Sequence, residues 1–347
     1  MKRKIWKHVL FVLMLISIYY LIFPIKFNKI LEQTHENRSI RGAIVTLTRG
    51  DSLRLLNMLH SIEYFYPKAI GKYPVIIFYD PHGVDMRNFN QDHIKSCVKL
   101  KLIFQSIVLF NLIQNPSETI NKINAEPKSY NQRTIGYRLM CLFWSHTVFH
   151  HEIIYKTYDY IMRLDDDSYL LETITDDLFE YIDRNHLDYV YRAMSWDIPL
   201  SGPEFLLPRY LEIYQNTCRT LCLPFHSHMS IYNNFFLTRV AFWHKKSIET
   251  FLGELLSNDT ILIYSLGDGN IHAVALTIAS DTEHTALLDF AYAHNIHLYG
   301  KRNRNFNLQH NYQNWFEILR ENSEKLCTQL IIVEPYQKQL KYISLRS

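Results

Sequence analysis

Three consecutive aspartates, Asp165, Asp166 and Asp167, end an apolar strand-like run in the segment Tyr158 to Leu171, YDYIMRLDDDSYLL, which then turns apolar again. Carboxylates at the end of a buried strand need water, a cation or basic partners, because an unpaired buried charge is costly. Side chains two apart on an extended segment share a face, so Asp165 and Asp167 can approach one hard divalent ion while Asp166 turns elsewhere. Such an ion could hold a diphosphate. The plainer reading is an acidic turn, since aspartate favours turns for its own hydrogen bonding. Apolar runs on both sides of the acids favour the metal. Arg163, just before them, can pair with one of the carboxylates or with a phosphate, or form an ordinary salt bridge.

The surrounding elements read as alternating strands and helices. Gly42 to Leu47 is a buried strand. Asp51 to Tyr66 then sets Leu53, Leu56, Leu59, Ile62 and Tyr66 at helical spacing behind an Asp/Ser cap. Further strands are expected at Val75 to Tyr79 and Val98 to Phe104, and a long helix over Tyr130 to Tyr155. The aspartates follow the next strand. Parallel β/α units fit this order best, and in open α/β sheets ligands collect beyond the carboxyl ends of the strands, where the aspartates fall. A helix near Thr175 to Arg184, a strand at Tyr189 to Arg192 and a Pro-punctuated stretch from Pro199 to Pro208, suited to an acceptor, come next. Asp268 stands between Gly267 and Gly269 before an apolar helix, Ile271 to Ala279, and reads most simply as its N-cap. A strand over Ala286 to Tyr292 leads to His294. A lone histidine after a strand is usually structural.

The chain of 347 residues is 48% hydrophobic and 14% aromatic, enough for a large core. A net charge of only +3, without a basic block, gives nucleic-acid binding little electrostatic support. Lys2, Arg3, Lys4 and Lys7 precede an apolar run from Val9 to Phe23 that ends in large residues before Pro24. That is the pattern of an uncleaved signal anchor with a cytoplasmic N-terminus. The expected organisation is a tail at 1–8, a transmembrane segment at 9–24, a stem at 25–40, a catalytic domain at 41–300 and a C-terminal extension at 301–347. Five cysteines leave at least one unpaired if disulfides form, and Cys218 with Cys222 could close a small loop. The triplets at Asn37 and Asn258 are compatible with lumenal glycosylation but also arise by chance. Without a double CxxC, no zinc site is expected.

Several segments together resemble the fungal α-1,2-mannosyltransferases, type II Golgi enzymes. RGAIVTLTRGDSLRLLNMLHSIE is similar to the first strand and helix of that family, and YRLMCLFWSHTVF to its Tyr-Met-Cys helix. YDYIMRLDDD is similar to the metal-site strand, where the family carries Glu-Pro-Asp. GDGNIHAVAL resembles a Gly-Asp-x-x-x-His helix start, giving Asp268 and His272, and DFAYAH places His294 on the metal-binding histidine. Two positions depart from the pattern. Phe236 stands where the family has the glutamate proposed as nucleophile, and Leu142 replaces a basic residue.

The resemblance implies a GT-A-like α/β fold with a mostly parallel central sheet, and a metal-dependent transferase moving mannose from GDP-mannose to a glycan or glycoprotein acceptor with retention. It implies metal ligation by Asp165, Asp167 and His294, with Mn2+ suited to mixed carboxylate and imidazole ligands. Arg163, Asp165, Asp166 and Tyr137 are expected near the donor, and Asp268 and Tyr137 in catalysis. Asp268 is the carboxylate left to orient or deprotonate the acceptor hydroxyl. Without a carboxylate at residue 236 a double displacement is disfavoured, leaving a front-face route. Location in the Golgi membrane, with the catalytic domain lumenal, follows from the same resemblance. The alternatives are a transferase of the same fold using a UDP-sugar, and a membrane-anchored glycan-binding relative without turnover.

Overall fold

The computed structural model describes residues 39–84, 89–126, 133–196, 229–280, 282–294 and 297–299. Its centre is a seven-stranded sheet built from β1 (Gly42–Thr48), β2 (Val75–Tyr79), β3 (Leu102–Ser106), β4 (Tyr160–Leu164), β6 (Tyr189–Tyr191), β9 (Phe235–Arg239) and β10 (Thr285–Leu287). The order is β10-β6-β9-β4-β1-β2-β3. Strands β1, β2, β3 and β4 pair in parallel, and β9 runs antiparallel between β4 and β6. The mostly parallel sheet matches the fold class read from the sequence.

Both faces of this sheet are covered, as a parallel sheet requires. Ile44, Val75, Ile77, Met162 and Leu237 point into one core layer, which helices Ser52–Phe65, Gln91–Cys97 and Leu178–Arg184 complete with Leu55, Leu59, Ile94 and Phe179. Val45, Ile76, Ile161 and Phe236 alternate to the other face, packed by helices Ile135–Leu142, Lys246–Ser257 and Asp268–Ala279. Each strand therefore reads as an apolar run, with period two visible only in which layer each side chain joins.

A second sheet is small and positions the chemistry. β5 (Ser168–Leu170) leaves the aspartates and pairs antiparallel with β11 (Tyr292–His294), which pairs in turn with β12 (His297–Tyr299). A two-stranded ribbon joins β7 (Met194–Trp196) to β8 (Met229–Ile231).

Several boundaries differ from the sequence expectations for local reasons. The expected helix over Tyr130 to Tyr155 is broken: Ile135–Leu142 passes into a π-helical turn at Phe143–Thr147, and the chain becomes extended at His151 before a last turn, Glu152–Tyr155. β3 starts at Leu102 rather than Val98, because the Glu63 carboxylate takes the amide hydrogens of Lys99 and Leu100. The run Ala286 to Tyr292 divides between two sheets, β10 in one and β11 in the other. Asp268 is not the N-cap of its helix: Gly267 is, and Asp268 is the first helical residue with its carboxylate turned inward. The anchor, the stem up to residue 38, the stretch Pro199 to Pro208 and Cys218, Cys222 and Cys327 lie outside the described residues. No described helix is long and apolar enough to cross a membrane.

Candidate metal and nucleotide-sugar site

β4 ends at Leu164, and the backbone turns through Asp165, Asp166 and Asp167 into β5. The β5–β11 register sets His294 opposite Ser168, so the histidine arrives beside the acids by strand pairing alone. One ligand atom each of Asp165, Asp167 and His294 lies within 4.8 Å of the others. His294 Nδ1 is 3.1 Å from Asp167 Oδ1 and 2.9 Å from Ser168 Oγ. Tyr232 packs edge-on against the imidazole with 5.7 Å between ring centres.

Asp166 turns to the end of β1, where its Oδ2 accepts from Thr48 Oγ1 at 2.7 Å and from the Arg49 amide at 3.4 Å. Its environment differs accordingly. Burial pushes Asp166 up to about 7 against the pull of Thr48, with Asp167 and Asp165 adding to the rise. Burial also opposes ionisation of Asp167, but the hydrogen bond and charge of His294 outweigh it and hold Asp167 below the usual carboxylate range. For His294, burial works against the proton and the Asp167 bond more than restores it, so its pKa is raised. Each group thus favours the charged form of the other.

Arg163 is the hinge between the acids and the second half of the site. Its side chain, 4% exposed, grips Asp165 with both Nε at 2.7 Å and Nη2 at 3.1 Å, and donates from Nη1 to Asp268 Oδ2. The guanidinium carbon lies 4.1 Å from the ring centre of Trp144, which the π-helical turn carries over β4. Desolvation of the guanidinium is thus met by two carboxylates and an aromatic face. Asp268 also accepts from Asn233 Nδ2 at 3.4 Å and lies 3.7 Å from Cys141 Sγ. Burial would raise Asp268, but the charge of Arg163 dominates and holds it low, so it stays ionised.

Tyr137 reaches the same cluster from helix Ile135–Leu142. Its hydroxyl accepts from Arg133 Nη1 at 2.7 Å, and burial first, then the neighbouring Cys141 and Asp268, raise its pKa. Gly269 explains the closeness of Asp268 to β8: a Cβ there would stand 2.2 Å from the Ile231 carbonyl oxygen. Phe236 is fully buried, with its ring 5.3 Å from Tyr189, 5.1 Å from His272 and 6.1 Å from Trp144.

The structure thus brings Asp165, Asp167 and His294 into one cluster and joins Arg163, Asp268 and Tyr137 to it, while Asp166 faces away toward β1. Sequence reasoning gave no role to Asn233, Cys141, Trp144 or Ser168, although Cys141 is the cysteine of the Tyr-Met-Cys motif and Ser168 directly follows the aspartates. A cavity of about 590 Å³ opens elsewhere, lined by Ile107, Leu112, Leu142, His146 and Leu262 and by none of Asp165, Asp166 and Asp167.

An open, mostly parallel sheet with one antiparallel strand, and an acid cluster at the carboxyl end of β4, define the GT-A class of α/β fold. Among solved structures, core-mannan synthase A (CmsA/Ktr4) from Aspergillus fumigatus in its Mn/GDP form matches with a TM-score of 0.63 at 15% identity over 77% of each chain. The Saccharomyces cerevisiae mannosyltransferase Ktr4p matches at 0.65 and 17% identity over 87% of this chain and 88% of that one, and its GDP complex at 0.62 and 19%. By sequence the chain is homologous to the "Probable mannosyltransferase KTR4" of S. cerevisiae, 22% identical over 274 residues. That region is 70% of this chain and spans 57% of the relative's length. No family model matches the chain. The resemblance to fungal mannosyltransferases read from the motifs holds.

Proposed function

We propose that the chain is a manganese-dependent mannosyltransferase that moves mannose from GDP-mannose to a glycan acceptor with retention of configuration. One observation carries this reading: two carboxylates and an imidazole converge within 4.8 Å at the carboxyl end of β4, in the fold of relatives solved with GDP and with Mn and GDP. The donor set fits, since mixed oxygen and nitrogen ligands suit Mn2+ better than Ca2+. Held by Asp165, Asp167 and His294, manganese would neutralise the charge developing on the departing diphosphate.

The chain's own residues supply the rest. Arg163 holds Asp165 bidentately, and each carboxylate oxygen that accepts one N–H keeps a lone pair for a cation. Asp268, paired with Arg163 and kept ionised, is a weak base but a good acceptor of a hydrogen bond from the incoming hydroxyl. A weak base suits retention, in which the leaving diphosphate itself can take the acceptor proton. Phe236 supplies no carboxylate, so the route is front-face rather than double displacement. Tyr137 borders the donor side through Arg133 and Cys141.

We further propose a type II arrangement in the Golgi membrane: tail 1–8, anchor 9–24, stem 25–40, catalytic domain 41–300 and extension 301–347. The cationic residues before the apolar run support it, as does the first strand among the described residues, which begins at Gly42 just after the expected stem. The deciding experiment incubates the purified chain with Mn2+ and, separately, GDP-mannose, UDP-galactose and UDP-N-acetylglucosamine. Manganese-dependent release of GDP from GDP-mannose is expected. Turnover of a UDP-sugar alone would replace the donor assignment, and binding without turnover would favour a glycan-binding relative, which the buried Phe236 motivates.

A further inference from the structure

His150, His244 and Glu249 converge in a second cluster, at the opposite end of the β4–β9 pair from the aspartates. In the antiparallel register Leu164 lies opposite Phe235 at the aspartate end and Tyr160 opposite Arg239 at the other. From Arg239 the chain enters helix Val240–Trp243, which His244 caps, and Glu249 falls in the first turn of Lys246–Ser257. His150 closes the short helix Val148–His150. One ligand atom each of His150, His244 and Glu249 lies within 4.8 Å of the others.

The hydrogen-bond directions make this cluster unlike an ordinary polar surface. His150 Nδ1 is 2.9 Å from the His146 carbonyl oxygen, and His244 Nε2 is 3.1 Å from the Phe149 carbonyl oxygen. A carbonyl only accepts, so each of these nitrogens carries the ring's proton. The opposite nitrogens, His150 Nε2 and His244 Nδ1, both face Glu249 Oε1, at 2.9 and 3.1 Å. A singly protonated imidazole presents a lone pair there, and so does the carboxylate. Three lone pairs pointing at one another require either a second proton on each ring or one shared cation.

Several features favour the cation. The ring centres of His150 and His244 are 4.7 Å apart, so two imidazolium charges would repel at close range. In a tetrahedral zinc site with bonds of ~2.0–2.1 Å, neighbouring ligand atoms are ~3.3 Å apart, so the two spacings to Glu249, 2.9 and 3.1 Å, need little change. The backbone carbonyls fix the tautomers of both rings, as outer partners of metal-bound histidines do. The side chains are 25%, 33% and 41% exposed, leaving room for entry and for a water as fourth ligand.

We propose that His150, His244 and Glu249 form a second divalent-metal site of the zinc type, independent of the aspartate site, that ties the segment after the π-helical turn to the two helices following β9. Two nitrogens and one carboxylate oxygen are a borderline donor set that zinc takes readily.

The test loads the full-length chain with zinc, dialyses it against a weak chelator and counts retained metal per chain by mass spectrometry. Asp167→Ala/His294→Ala serves as background, so that the aspartate site does not contribute. The background chain is expected to retain one zinc, and the same chain carrying His244→Ala or the near-isosteric Glu249→Gln to retain none. With Co2+ in place of zinc, the background chain should show the visible bands of four-coordinate cobalt, and the Glu249→Gln chain should lack them. Circular dichroism of each chain checks that loss of metal is not loss of fold. A background chain that retains no zinc overturns the proposal, as does a folded His244→Ala or Glu249→Gln chain that retains as much as its parent.

Discussion

Phe236 sits directly opposite Arg163 in the β4–β9 register, its ring centre 5.9 Å from the guanidinium carbon. The position where the motif resemblance places a carboxylate is here part of an aromatic layer with Tyr189, Phe149 and Trp144. Restoring the acid with Phe236→Glu would place a third carboxylate on an arginine that already serves two, and would leave a void among the rings. We expect Phe236→Glu to lower the melting temperature without raising turnover, and Phe236→Ala to cost about 3–5 kcal/mol in stability by the usual penalty for deleting a buried ring. A gain in turnover by Phe236→Glu, measured as GDP release, would mean that the site still works by a covalent intermediate.

Removing Arg163 exposes the opposite dependence. Asp165 and Asp268 would then be buried charges without their partner, and breaking such an arrangement from one side costs about 3–5 kcal/mol. Arg163→Ala should therefore lower stability and abolish transfer together. Asp268→Asn should lose transfer with a smaller loss of stability, because Asn233 and Arg163 can still find an amide oxygen. A double-mutant cycle over Arg163→Ala and Asp268→Ala, read by urea denaturation, should show coupling of about 1–3 kcal/mol. Additive effects would mean that the pair is not an energetic unit.

How far the site was legible in the sequence follows from which contacts are local. Asp165 and Asp167 come together through the turn that joins β4 to β5 rather than by strand alternation, yet strand-ending acids can be recognised within one segment. His294 reached the cluster in the sequence reading only through a motif, since its approach depends on β11 pairing with β5 across 126 residues. Trp144 could not be foreseen at all: its placement over Arg163 depends on a π-helical turn that interrupts an otherwise regular helical pattern. Asp268 shows the converse. Flanked by glycines before an apolar run it has the local signature of a cap, yet the buried Arg163 of β4 competes for its carboxylate more strongly than the helix amides do.

Metal dependence should divide cleanly along the cluster. Asp167→Ala and His294→Ala are each expected to reduce manganese-stimulated GDP release by more than about 100-fold, since each removes a direct ligand rather than an outer partner, for which 10–100-fold is typical. Asp166→Asn should have a milder effect, because Asp166 faces Thr48 and Arg49 instead of the shared position. Titration of Mn2+ against donor turnover checks both. An Asp167→Ala chain with unchanged manganese response would remove the aspartate cluster from the mechanism.

Asp177 offers a test of the scaffold apart from the chemistry. It caps helix Leu178–Arg184 by accepting from the amides of Phe179 and Glu180 at 3.0 and 3.2 Å, and it also receives Lys72 Nζ at 2.7 Å and the Tyr73 hydroxyl at 2.9 Å. Burial opposes its charge, but Lys72, the amides and Tyr73 outweigh burial and hold its pKa below the usual carboxylate value. A depressed folded-state pKa means that the stabilisation is fully present above the unfolded value, about 3.9, and is lost as pH falls through the folded one. Asp177→Ala should cost about 2–4 kcal/mol at neutral pH, combining a lost cap with a lost buried partner for Lys72. Asp177→Asn keeps the cap oxygen and should cost less. The gap between wild type and Asp177→Asn, followed by urea denaturation from pH 7 downward, should stay level to about pH 4 and then close. A gap that is unchanged at pH 2.5 would show that the charge of Asp177 contributes nothing and that the hydrogen-bond geometry alone holds this corner of the sheet.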